Sequence, residues 1–150
     1  MRILIDADGC PVVDICVAQA KKHGAECLIL CDTSHVFEKE DAETITISKG
    51  ADSVDFALVN MLRAEDIVVT QDYGLAAMCL AKNAVVLNQD GVEYTALNID
   101  SMLNARHTAR KLRSTGGRMK GPPKRTAAQN NAFAARLNCL LLSAKEADKR

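Results

Sequence analysis

ILIDADGCPVVDICVAQAKKHGAECLIL, the stretch from Ile3 to Leu30, reads as strand, helix and strand in succession. Ile3-Leu4-Ile5 is a short β-branched, apolar run that stops at Asp6 and Asp8. Pro11 suits the first position of a helix, and Val13, Cys16, Val17 and Ala20 then recur at i, i+3, i+4 and i+7, the period of an amphipathic helix. Lys21, Lys22 and His23 match the negative C-terminal end of its dipole, and Gly24 matches a left-handed cap. Cys27-Leu28-Ile29-Leu30 follows as a buried strand.

The pattern continues outward. After a polar, irregular stretch at 32–43, Thr44 to Ile47 reads as a third strand, and Lys49-Gly50 breaks before a helix from about Asp52 to Arg63. Val54, Ala57, Leu58, Met61 and Leu62 form its core stripe. Ile67-Val68-Val69-Thr70 is a fourth strand, Leu75, Met78 and Cys79 face inward from the next helix, Asn83 caps it, and Ala84 to Leu87 is a fifth strand. Strands alternating with helices predict a three-layer α/β/α sandwich with a mostly parallel sheet, in one domain spanning residues 1–150. From residue 98 the texture changes. Ile99, Met102, Leu103 and Leu112 give a helix a modest apolar edge, Arg106, Arg110 and Arg113 give it a basic stripe, and residues 114–125 form a basic loop rich in Gly and Pro. Thr126 and Gln129 make a capping box for a last helix with Phe133, Leu137, Leu140 and Leu141 inward. This C-terminal segment, about 99–150, is expected to pack on the domain.

With 48% hydrophobic residues among 150, the chain has a core of normal size. No basic segment followed by an apolar stretch opens it, and no apolar run nears the roughly 18 residues of a membrane span, so the expected location is cytoplasmic, with no membrane partner. The six cysteines read as buried reduced thiols rather than a zinc site, since Cys27 and Cys31 are the only close pair. The net charge of zero conceals two opposed halves. Residues 1–99 hold 7 Lys/Arg and 16 Asp/Glu, and residues 100–150 hold 12 and 3. An acidic half able to hold metal, joined to a basic half able to hold phosphate, suits a polyanionic substrate; mutual neutralisation across an interface is the plainer alternative.

Asp6, Asp8 and Asp72 all fall where an apolar strand run stops, and strand ends of an open parallel sheet face one crevice. Carboxylates so placed repel unless a cation lies among them. Asp52 and Asp55 lie about 60° apart on one side of their helix, so they extend the oxygen set, or serve only as helix cap and dipole partner. Oxygen donors of this kind suit Mg²⁺ or Mn²⁺, which activates water toward a phosphodiester. Lys49 precedes the acidic helix and is a candidate phosphate partner. Arg106, Arg110, Arg118, Lys120, Lys124 and Arg125 are candidates to grip phosphate oxygens, or else form a solvated face. At 3% aromatic residues, no stacking platform for reading a base sequence is expected. His23, His35 and His107 are dispersed, and no G-x-G-x-x-G, Walker A or G-x-S-x-G motif occurs.

Ile5-Asp6-Ala7-Asp8-Gly9-Cys10-Pro11, Ser48-Lys49-Gly50-Ala51-Asp52-Ser53-Val54-Asp55, Thr70-Gln71-Asp72-Tyr73-Gly74-Leu75-Ala76 and Gly117-Arg118-x-Lys120-Gly121-Pro122-Pro123 together resemble the uncharacterised YaiI/YqxD family. That family resembles PIN-domain nucleases, whose aspartate after strand one, acid in a middle helix and T-x-D after strand four match Asp6, Asp52 or Asp55, and Asp72. The resemblance implies a PIN-like fold and a Mg²⁺ or Mn²⁺ site; together with the strand-end reading, Asp6, Asp8 and Asp72 are the expected catalytic residues and a nucleic acid, RNA first, the expected partner. Asp8-Gly9-Cys10-Pro11 and the basic C-terminal extension depart from the ordinary PIN pattern. The D-x-D-G opening also resembles haloacid-dehalogenase-type phosphatases, with Asp6 as nucleophile and Asp8 as acid/base. In those enzymes the metal motif comes late, whereas here two strands and the T-x-D follow Gly50-Ala51-Asp52-x-x-Asp55. A non-catalytic RNA- or metal-binding module is the remaining alternative.

Overall fold

The computed structural model describes residues 1–34, 37–48, 50, 53–104 and 124–150. Its strands are β1 (Arg2–Asp6), β2 (Glu26–Asp32), β3 (Glu43–Ile47), β4 (Ile67–Val69), β5 (Val85–Leu87) and β6 (Glu93–Tyr94). Its helices are α1 (Val13–His23), α2 (Ser53–Met61), α3 (Tyr73–Ala81), α4 (described over residues 99–104) and α5 (Ala127–Asp148). The strands make one sheet in the order β3-β2-β1-β4-β5-β6, parallel from β3 to β5, with β6 antiparallel at the edge. The expected α/β sandwich with a mostly parallel sheet is therefore present.

Two-residue alternation along the strands divides the apolar side chains between two cores. Ile3, Ile5, Cys27, Ile29, Cys31, Ile67, Val69 and Leu87 pack on α1 and α5, where Cys16, Ala20, Phe133, Leu137 and Leu141 are buried. Leu4, Leu28, Leu30, Val68 and Val86 pack the other face, against Leu58 of α2, Leu75 and Cys79 of α3, Tyr94 and Ile99. Strands buried on both faces read as continuous apolar runs, which is why β1, β2 and β4 stood out in the sequence.

Several boundaries differ from the sequence reading, each for a local reason. Pro11 precedes α1 instead of opening it, because the first helical bond runs from Cys16 N–H to the Val12 carbonyl at 3.0 Å. Asp66 stops α2 at Met61 rather than Arg63: its Oδ2 accepts the Arg63 N–H at 2.8 Å, diverting the backbone from the helical ladder. Lys82 is the cap of α3, and Asn83 after it takes the left-handed conformation at φ 64°. Gly24 does cap α1, at φ 67°. The two-residue β6 is too short to show a period in sequence. It forms because Asn88 Oδ1 accepts the Asp90 and Val92 N–H groups at 2.9 Å and turns the chain back along β5. Gly91 sits in that turn at φ 82°, and a Cβ there would lie 3.0 Å from the Ala132 oxygen and the Phe133 Cα, so the turn meets α5 backbone to backbone. The Thr126–Gln129 capping box opens α5 as read.

Candidate functional site

The chain order along the sheet reverses between β1 and β4. From β1 the chain moves outward through β2 to β3, returns to β4 on the other side of β1, and continues to β5. Where successive strands depart in opposite directions, their carboxyl ends leave a crevice, the usual ligand position in such sheets. A cavity of about 570 Å³ opens at those ends, lined by Asp6, Asp8, Asp32, Gly50, Ser53, Val54, Asp55, Gln71, Asp72 and Tyr73.

Each carboxylate is held by its own element. Asp6 ends β1, and its Oδ2 accepts the Thr70 hydroxyl at 2.8 Å. That hydroxyl oxygen also accepts the Asp72 N–H at 3.0 Å, so one side chain at the end of β4 ties both aspartates together. Asp72 is the N-cap of α3, its Oδ1 accepting the Gly74 and Leu75 N–H groups at 2.8 and 3.1 Å. Asp8 Oδ2 accepts the Asp32 N–H at 3.4 Å, joining the loop after β1 to the end of β2. Asp32 is turned by its own bonds from the Ser34 N–H, at 2.7 Å, and the Ser34 hydroxyl. Asp55 stands in the first turn of α2. Gln71 Nε2 donates to the Gly9 carbonyl at 2.8 Å and closes the loop after β4 onto the loop after β1.

Burial raises the Asp6 carboxyl above its ordinary value; the Thr70 hydroxyl draws it part of the way back, and the negative charges of Asp72 and Asp8 push it up again. A carboxyl with a folded value above its unfolded one costs stability once it ionises, and the cost is complete above the folded value and absent below the unfolded one. Asp6→Asn is therefore expected to melt at a higher temperature than wild type at pH 7 in chelator. The gain should vanish as the pH falls below the ordinary aspartate range of about 4. Thermal melts of both proteins across pH 3–8 check this, and a lower melting temperature for the variant at pH 7 refutes it.

A profile of the family described as "Uncharacterized BCR, YaiI/YqxD family" matches residues 4–143. The chain belongs to the YaiI/YqxD family. Similar relatives include the UPF0178 protein of Exiguobacterium sibiricum, 48% identical over 141 residues, covering 94% of this chain and 96% of the relative. The UPF0178 protein of Ruminiclostridium cellulolyticum is 49% identical over 133 residues, covering 89% and 87%, and that of Natranaerobius thermophilus is 41% identical over 145 residues, covering 97% and 99%. No solved structure matches.

The region matched to the YaiI/YqxD family contains all five cavity aspartates. Asp6, Asp8, Asp55 and Asp72, each proposed from sequence, come together at this cavity, whereas Asp52 and Lys49 lie outside the described residues, as do Arg106, Arg110, Arg118, Lys120, His35 and His107. Lys124 is exposed and, like Arg125, does not line the cavity. Arg125 is committed elsewhere: it pairs with Asp90 at 2.8 Å and donates to Asn130 Oδ1 at 2.6 Å and to the Gln89 carbonyl, clamping the start of α5 to the turn before β6. His23 is buried against Asn138 of α5, its Nε2 2.7 Å from Oδ1. Sequence reasoning missed Asp32, although the signal that found Asp6 was present there, an aspartate closing the apolar run Cys27 to Cys31. It also assigned no role to Thr70, Gln71 or Tyr73. All six cysteines are free thiols; Cys139 is exposed and Cys10 partly so. Among the described residues, no three His, Cys, Asp or Glu side chains are gathered tightly enough to chelate an ion by themselves, and no helix is long and apolar enough to cross a membrane.

Proposed function

We propose that the chain is a PIN-like, metal-dependent phosphodiester hydrolase of the cytoplasm, acting on RNA or another single-stranded nucleic acid. The observation that carries this reading is the convergence of Asp6, Asp8, Asp32, Asp55 and Asp72 on one cavity at the switch point of the sheet. An all-oxygen donor set suits Mg²⁺ or Mn²⁺. Mg²⁺ in particular keeps several waters and is held by one or two carboxylates, so the spread of these aspartates fits a hydrated ion rather than a chelated one. Asp6, Asp8 and Asp72 would hold it between them, one or two directly and the rest through its waters. When bound, the ion supplies Lewis acidity toward the phosphodiester and lowers the pKa of water.

The chain's own groups prepare the site. Thr70 orients Asp6, and the α3 amides orient Asp72, so these carboxylates need no rearrangement when a substrate arrives. Asp32 and Asp55 add carboxylates to the cavity lining. No side-chain nucleophile is required: a water oxygen bonds to the phosphorus, one ester P–O bond breaks, and the departing ribose oxygen takes up the proton that the water gives up. With Arg125 engaged by Asp90 and Arg136 by Glu93, the proposed sources of positive charge for the flanking phosphates are Arg106, Arg110, Arg118, Lys120 and Lys124.

Purified protein is expected to cleave single-stranded RNA in Mn²⁺ or Mg²⁺ and to lose that cleavage completely on chelation. Cleavage that survives chelation, or its absence in both metals, overturns the proposal. RNA affinity without cleavage, falling by about 0.7 log unit per log unit of salt for each phosphate contact, identifies a binding module instead.

A further inference from the structure

Tyr73 and Tyr94 are the chain's only tyrosines, and it has no tryptophan. Both lie beside the cavity machinery. Tyr73 is the first residue of α3, directly after Asp72, and it borders the cavity while remaining half-buried. Its ring meets that of Tyr94 edge to face, with centroids 5.9 Å apart and planes at 68°. Tyr94 is 1% exposed and donates its hydroxyl to the Thr70 carbonyl at 3.3 Å. Thr70 in turn donates to Asp6. The orientation of the cavity's aromatic surface is thus set by the same residue that orients its central carboxylate.

An edge-to-face contact occupies one side of an aromatic ring and stiffens it at little cost, because few torsions have to be ordered. A rigid ring bordering a carboxylate-lined cavity suits a ligand with a flat apolar part and, where the carboxylates hold a divalent cation, an anionic part beside it. We propose that Tyr73 is a base-stacking wall: the nucleobase of an unpaired nucleotide lies on Tyr73 while the adjoining phosphate lies at the aspartates. The phosphate half of this arrangement rests on the hydrolase reading above; the stacking half stands or falls by itself. In a duplex each base is covered on both faces by its neighbours, so the substrate class is a single strand, an unpaired end or a loop. One ring accepts any base, because every base has a π-face, and stacking of this kind is worth about 5- to 150-fold in affinity per base. A single wall therefore gives strand-state selectivity without sequence readout.

Tyr94→Phe leaves Tyr73 as the sole tyrosine, so ultraviolet emission then reports that ring alone. A single-stranded RNA pentamer is expected to perturb this emission, and an abasic oligonucleotide of the same length is not. The pentamer should bind about 5- to 150-fold more tightly than the abasic strand. Tyr73→Leu should bring that ratio near one, and Tyr73→Phe should keep most of it. Emission that does not respond to the pentamer, equal affinities in the wild type, or an undiminished ratio in Tyr73→Leu overturns the proposal. The emission measurement remains decisive if Tyr73→Leu fails to fold. Cleavage with a ratio of one removes the stacking wall alone, and a preserved ratio without cleavage removes the hydrolase reading alone.

Discussion

Asp72→Asn is expected to lower phosphodiester cleavage at least about a hundredfold, since a carboxylate at a metal site supports several kcal/mol of transition-state stabilisation. Its melting temperature should stay close to wild type. An observed role as helix cap and a proposed role in the chemistry meet at this residue, and the substitution separates them. As N-cap of α3, Asp72 needs only an acceptor oxygen for the Gly74 and Leu75 amides, and asparagine supplies one as well as aspartate does. As a cavity carboxylate it needs its charge, which asparagine lacks. Asp72→Ala removes both, so it should lose the same activity and in addition about 1 kcal/mol of stability. Cleavage assays beside urea denaturation of the two variants measure the difference. Equal destabilisation of Asn and Ala would show that the cap bond contributes nothing, and full activity in Asp72→Asn would remove this carboxylate from the chemistry.

Arg2→Ala should cost about 3–5 kcal/mol, the largest stability effect expected of a single polar side chain here. Arg2 begins β1 at the opposite end of the sheet from the cavity. Its Nη2 and Nε reach Asp66 Oδ2 and Oδ1 at 2.6 and 3.2 Å, with side chains only 9% and 4% exposed, and Nη2 also donates to the Met61 carbonyl at 2.8 Å. The hydrogen bond to the Asp66 carboxylate raises the Arg2 guanidinium above its ordinary value against the opposing effect of burial, so Arg2 remains charged. Deleting one member strands the other charge in a poorly solvated place. It also loosens the junction between α2 and β4, because Asp66 caps the Arg63 amide. Replacing both, as Arg2→Met with Asp66→Leu, should cost less than either single loss. Denaturant midpoints of the singles and the double form the cycle that tests this, and additive losses would show that the pair is not coupled.

Much of the fold was legible because parallel strands buried on both faces leave continuous apolar runs, and helices between them leave the 3.6-residue period. Those signals located β1 to β5, α1 to α3 and α5. They missed β6, whose two residues carry no period, and they overran α2, whose end is decided by Asp66, a residue outside the helix. The site was legible through one rule, an aspartate closing an apolar run. Applied to Cys27–Cys31, the same rule would have added Asp32. The basic residues were harder to judge. Arg125 looks in sequence like one more phosphate ligand, yet its partner Asp90 lies 35 residues away, and only folding brings them to 2.8 Å.

The sequence by itself determined the alternation of strand and helix, the placement of Asp6, Asp8 and Asp72 at strand ends, and the opposition of an acidic and a basic half, because period, strand-end position and charge are local properties. Only the tertiary structure decided the strand order that sets β1 beside β4, and with it the crevice where Asp32, Asp55 and Tyr73 join those carboxylates. It alone showed that Thr70 binds Asp6 and that Arg125 is already engaged. Such contacts join residues far apart in the chain, and burial pairs them by shape and charge that no local pattern encodes.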